Sequence, residues 1–129
     1  MEPHPCLPTD KHDVEAVRRA AALSPVALEP LLPDLLEWLQ DANWPVASPV
    51  ADCLAGAGPA LLPPLRRILR GDDGAWKYWL LELLPPRLPA PLFEALRPEI
   101  ERLASAPTPE DRREEVHLAA RGALAAAPG

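Results

Sequence analysis

The chain is poor in cysteine and has no long apolar run. Cys6 and Cys53 are its two cysteines. They are unlike the dense frameworks of small secreted domains and show no CxxC spacing, so neither a disulfide scaffold nor a zinc or redox thiol motif is indicated. Cys53 reads as a small core residue. No stretch reaches the ~20 apolar residues that a membrane helix requires. Residues 1–8 lack the basic flank and apolar centre of a secretion signal, so a cytoplasmic protein without a membrane partner is expected. Positive charge is also scarce. Thirteen basic residues face nineteen acidic ones, a net charge of −6, which argues against nucleic acid as a partner. Gly56-x-Gly58 has neither a preceding strand pattern nor a third glycine, so no dinucleotide loop is supported. Ser24, Ser48 and Ser105 fall in cap or loop contexts rather than in a nucleophile elbow.

Proline is abundant. Proline and glycine together make 25 of the 129 residues, below the roughly 25 to 30% at which disorder becomes the default. A chain of this length forms one domain, residues 1–129, that buries roughly two thirds of its unfolded surface. The apolar spacing is helical throughout. A first helix follows a cap at Thr9 or Asp10, with Val14, Val17 and Ala21 on one face and Arg18 and Arg19 in solvent. Ser24-Pro25 opens the next segment, cap followed by first-turn proline. Pro30 and Pro33 interrupt it, so a short turn is expected and then a firm helix from near Pro33 with the stripe Leu32, Leu35, Leu36, Leu39.

The turn Gln40-Asp41-Ala42-Asn43 separates that helix from one carrying Val46, Val50, Cys53 and Leu54 at amphipathic spacing. Pro49 either kinks the second helix or, with Ser48 as cap, begins its regular part. Thirty residues on, the pattern returns: Leu31, Leu32, Pro33, Leu35 and Leu39 become Leu61, Leu62, Pro63, Leu65 and Leu69. Under the same offset Val46, Val50, Cys53 and Leu54 become Trp76, Leu80, Leu83 and Leu84. Such a repeat of paired helices is the signature of an α-solenoid. A third, divergent pair runs from Leu92 to Leu103, entered near Pro91 and disturbed at Pro98, with Leu96, Ile100 and Leu103 inward. It continues from the capping box Thr108-Pro109-Glu110-Asp111 through Val116, Ala120, Ala123 and Leu124, and Pro128-Gly129 stop it. The expected fold is all-α, a HEAT-like α-α superhelix of about three stacked helical hairpins with six to seven helices in total.

Three pieces carry a resemblance: Leu36-Glu37-Trp38-Leu39-Gln40-Asp41-x-Asn43-Trp44-Pro45-Val46-Ala47, Asp73 with Trp76-Lys77-Tyr78-Trp79, and Pro107-Thr108-x-Glu110 followed by Glu114-Glu115. With an opening like Pro8-x-Asp10-Lys11-His12-Asp13, the chain resembles over nearly its whole length a family of small bacterial proteins defined as a domain of unknown function. The resemblance implies a helical protein similar to HEAT repeats, where an acidic turn residue precedes a helix opening with an apolar-basic pair. Val46-Ala47, Trp76-Lys77 and Val116-His117 occupy that place, and Trp76-Lys77 resembles the pair. No activity comes with the resemblance.

Chemistry therefore has to be argued from the residues. Glu114-x-x-His117 puts a carboxylate and an imidazole on one helical face, half of a carboxylate-bridged metal site. The second half is missing from the sequence. Asp10, His12 and Asp13 are explained by helix capping, as are Asp72 and Asp73, so no cofactor and no metal centre is expected. Arg66, Arg67 and Arg70 form a basic edge in which Arg66 and Arg70 repel unless Asp72 or Asp73 answers. The group with most to offer is Asp41, Trp44, Trp76, Lys77 and Tyr78, at the openings of the second helices. By spacing Trp76 and Trp79 share one side, and Lys77 and Tyr78 project elsewhere. The tryptophans either fill the core between hairpins or anchor a binding surface, where Trp, Tyr and Arg concentrate energy. The expected function is that of a non-catalytic module recognising a protein partner. An adaptor or immunity-type protein is one example, its negative surface steering onto a basic toxin face. The alternatives are a metal-assisted enzyme using Glu114 and His117 and, behind it, a nucleic-acid-binding HEAT-like protein.

Overall fold

The computed structural model describes residues 4–127, so Pro128 and Gly129, expected to stop the last helix, lie outside the described residues. All secondary structure among those residues is helical. Helix α1 (Val14–Ala21) is capped by Asp13, whose carboxylate accepts the Ala16 N–H at 3.3 Å. Thr9 and Asp10 instead build the turn before it: Thr9 donates its N–H and hydroxyl to Asp13, and Asp10 accepts the His12 N–H. The buried face of α1 is Ala16, Val17 and Ala20, with Ala21 exposed, one residue round from the expected stripe.

Between Pro25 and Leu39 the prolines deny successive helical hydrogen bonds, so no single firm helix forms. The segment is α2 (Pro25–Leu28), a 3-10 turn (Glu29–Leu31), α3 (Leu32–Leu36) and a second 3-10 turn (Glu37–Leu39). Ser24 caps it by accepting the Ala27 N–H. The apolar stripe survives the interruption, with Leu32, Leu35, Leu36 and Leu39 all buried. Each contributes about 1.5–3 kcal/mol by leaving water. Helix α4 (Ala47–Ala55) follows. Pro49 is its third residue, in the first turn where an N–H has no intrahelical acceptor, so it neither kinks α4 nor makes Ser48 the cap.

The chain reverses at Gly56 and at Gly58, whose φ of +79° only glycine adopts without strain. The repeat offset then holds closely: 3-10 turns end at Leu31 and Leu61, and α3 and α5 (Leu62–Leu69) begin at the next residues. It slips in the second helices. Helix α6 (Gly74–Leu83) starts three residues earlier than Ala47 would place it, and Trp76 is half-buried where Val46 is fully buried. A 3-10 turn (Pro85–Arg87) leads to α7 (Ala90–Ser105), which runs unbroken through Pro98 with Leu96, Ile100 and Leu103 inside.

The Thr108 capping box opens α8 (Pro109–Arg113), with Thr108 and Asp111 each accepting the other's backbone N–H. The expected long last helix then breaks. Glu115 takes a left-handed φ of 59°, and α9 (Val116–Ala125) sets off anew, burying Val116, Ala119, Ala120 and Ala123 while Leu124 is half-buried. Helix α9 packs against both α6 and α7, α5 against α7, and α1 against α4. The α5–α7 seam is polar at its edge. Arg66 donates to the Ala95 carbonyl, Arg70 pairs with the nearly buried Glu99, and Arg102 reaches the Leu69 carbonyl. Glu99, not Asp72 or Asp73, thus answers Arg70.

Candidate functional site

The five residues singled out from sequence do not form one site. Lys77 is 2% exposed. Its Nζ lies 2.5 Å from Asp111 Oδ1 and donates to the Gly71 carbonyl at 2.8 Å. This corrects the expectation of a partner-facing lysine: Lys77 joins the start of α6 to α8, and its charge is consumed inside. Burial alone would raise the Asp111 carboxyl, but the Lys77 ammonium and the Thr108 N–H and hydroxyl outweigh it and hold it below the usual carboxylate range. Asp111 is at once a helix cap and a counter-ion.

Tyr78 leaves the group in another direction. It stacks edge-on against Trp79 with ring centroids 4.9 Å apart, beside Arg113, Glu114 and Glu115. Trp79 therefore sides with Tyr78 rather than with Trp76. Burial pushes the Tyr78 phenol up, and the Glu82 and Glu115 carboxylates add to it.

Trp76, Trp44 and Asp41 remain near one surface, built by α3, the Glu37–Leu39 turn and the loop that follows. Asp73 caps α6 by accepting the Trp76 N–H at 3.0 Å. This places the indole across the end of α3, where Nε1 donates to the Leu36 carbonyl at 3.0 Å. That carbonyl lies where α3 tightens into the 3-10 turn, so the bond pins the indole across the junction. Trp76 stays half-buried and lines a cleft of about 290 Å³ with Pro33, Leu36, Pro64 and Ile68 as further apolar wall. Glu37, Arg67, Gly71, Asp72 and Asp73 complete the lining.

Glu37 also lines a second cleft, of about 370 Å³, with Asp34, Trp38, Gln40 and Trp44. Trp44 meets Trp38 edge-on at 5.7 Å, and both are half-buried. Asp41 accepts the Asn43 N–H at 2.8 Å and shapes the turn that presents Trp44. The two clefts share Glu37 as a wall. Glu37, Trp38 and Asp34 are the members that sequence reasoning did not name as site residues, and Arg67 entered it only as part of the basic edge. Glu37 and Trp38 lie inside the Leu36 to Ala47 stretch, but nothing local connects them to Trp76 some forty residues away.

The catalytic alternative fares differently. Glu114 and His117 do not share a helical face, because the chain breaks between α8 and α9 at Glu114 and Glu115. Glu114 is exposed, while His117 Nδ1 is buried without a hydrogen-bond partner among the described residues. Among these residues no three His, Cys, Asp or Glu side chains converge as metal ligands. Of the arginine edge, Arg66 and Arg70 are occupied at the α5–α7 seam, which leaves Arg67 without an ion pair among the described residues. No helix among the described residues is long and apolar enough to cross a membrane.

The fold and surface define a small all-α protein with two adjoining indole-lined clefts. The chain belongs to the family described as a domain of unknown function, DUF5071, whose family model matches residues 6–124. No curated protein matches it.

Proposed function

We propose that this chain is a non-catalytic binding protein, a small HEAT-like helical-repeat module that recognises a protein partner through the face formed by Trp76, Glu37, Trp38 and Trp44. The supporting observation is the half-buried state of three tryptophans in adjoining clefts. A fully packed core would have swallowed them, and half-exposed aromatic residues in concave sites are where interface energy concentrates. Each cleft is of a size for one or two side chains of a docked chain rather than for a large cofactor. An adaptor or immunity-type role in the bacterial cytoplasm suits this reading, and the two buried free thiols, Cys6 and Cys53, fit a reducing compartment.

The test is site-specific photo-crosslinking in cells of the source organism. A photoreactive residue at position 37 is expected to trap one protein that the same residue at position 18, on α1, does not. Equal trapping from both positions, or none from position 37, would refute the reading.

A further inference from the structure

Charge on this face is less compensated than on the rest of the molecule. Elsewhere six of the thirteen described carboxylates lack an ion pair and seven are matched: Glu15 with Arg18, Asp52 with Arg87, Glu94 and Glu101 with Arg97, Glu99 with Arg70, Glu110 with Arg113, and Asp111 with Lys77. Around the clefts, among the described residues, none of Asp34, Glu37, Asp41, Asp72 and Asp73 has a basic side chain within ion-pair distance. Arg67 is the one cation lining either cleft. Unmatched carboxylates interleaved with half-buried indoles form a surface that lacks its counter-charge.

We infer that the partner presents an arginine- or lysine-bearing segment to this face, with one basic side chain seated in the Trp76 cleft. The inference rests on the protein-binding reading above and supplies its chemistry. A long basic side chain has an apolar stem and a charged head. The stem lies against Pro33, Leu36 and Trp76, the cation meets the indole, and the head reaches Glu37 and Asp72. Arginine suits the site better than lysine because its planar head stacks on an aromatic ring and is less costly to strip of water. Arg67 lines the same cleft and repels such a cation, which weakens its binding.

The test is binding of a labelled short peptide alternating arginine and glycine, followed by fluorescence anisotropy and by the NMR shift of the Trp76 indole N–H. Its counterparts carry citrulline or glutamate in place of arginine, and free spermine is a further competitor. The arginine peptide is expected to bind at least about tenfold more tightly than the citrulline peptide and to shift the Trp76 signal. Its affinity falls as salt is raised. The double variant Glu37→Gln, Asp72→Asn weakens it, and Arg67→Gln strengthens it; none of these exposed side chains caps a helix or makes an ion pair among the described residues. Equal binding of the citrulline peptide, a weaker complex with Arg67→Gln, or spermine binding as tightly as the peptide would each overturn the inference. If position 37 still cross-links to one protein when charge makes no difference, the binding module stands and its cationic partner falls. Absence of both cross-link and peptide binding removes the two together.

Discussion

Replacing Lys77 with methionine keeps most of the side chain's length and deletes its charge, which isolates the buried ion pair as a contributor to stability. In the native protein the Lys77 and Asp111 side chains are 3% and 1% exposed and 2.5 Å apart. Lys77→Met leaves the Asp111 carboxylate in the interior with only the Thr108 N–H and hydroxyl to answer it, and leaves the Gly71 carbonyl without its donor. Breaking one side of such a pair costs about 3–5 kcal/mol, because the surviving charge stays desolvated. For a domain of this size that lowers Tm by on the order of 10–20 °C. Asp111→Asn strands the ammonium instead while keeping an acceptor for the cap, and its cost is of similar order. The double variant strands neither charge, so its loss falls short of the sum of the single losses by about 1–3 kcal/mol. Urea unfolding of the four proteins measures the cycle. A Lys77→Met protein within about 1 kcal/mol of wild type, or a strictly additive double variant, would refute the reasoning.

The same pair sets the acid limit. Because the folded Asp111 carboxyl sits below its unfolded range, its contribution is present above about pH 4 and is lost as pH falls through the lower folded value. Urea midpoints across pH 2 to 6 are expected to drop at the acid end, with a shallower drop in Lys77→Met. Gly74→Ala should destabilise by about 1–3 kcal/mol despite alanine's better helix propensity. A Cβ there would lie 2.9 Å from Glu114 Cγ and 3.3 Å from the Glu110 carbonyl, and thermal melts check it. Asp73→Ala removes the cap of α6 and should cost about 1 kcal/mol, most of it recovered by Asp73→Asn. Trp76→Phe loses the bond to the Leu36 carbonyl, also worth about 1 kcal/mol, and should melt slightly earlier with unchanged far-ultraviolet circular dichroism.

The helical class, the leucine stripes and the cap chemistry were legible in the sequence because they depend on neighbours within a turn or two. Spacing alone put Leu32, Leu35, Leu36 and Leu39 inside, and Ser24 and Thr108 cap where their local patterns place them. The thirty-residue repeat was legible for the same reason and carried across the 3-10 turns and first helices of both copies. Local reasoning failed where a distant partner decided the outcome. Lys77 reads as a surface lysine on any helical wheel, and only the arrival of Asp111 from α8, more than thirty residues on, makes its burial tolerable. Trp76 could have been core or anchor; its indole N–H, bonded to the Leu36 carbonyl forty residues away, fixes it half-buried at the end of α3. The break at Glu115 likewise has no proline or glycine to announce it, and separates Glu114 from His117 where periodicity joins them.

The sequence by itself therefore determined an all-α protein, the leucine stripe from Leu32 to Leu39 and the caps at Ser24 and Thr108, since these follow from periodicity and local cap chemistry. Tertiary structure alone decided which polar and aromatic side chains are spent inside and which face solvent. Desolvation makes that choice, and whether a charge or an indole N–H can leave water depends on a partner that folding brings from elsewhere in the chain.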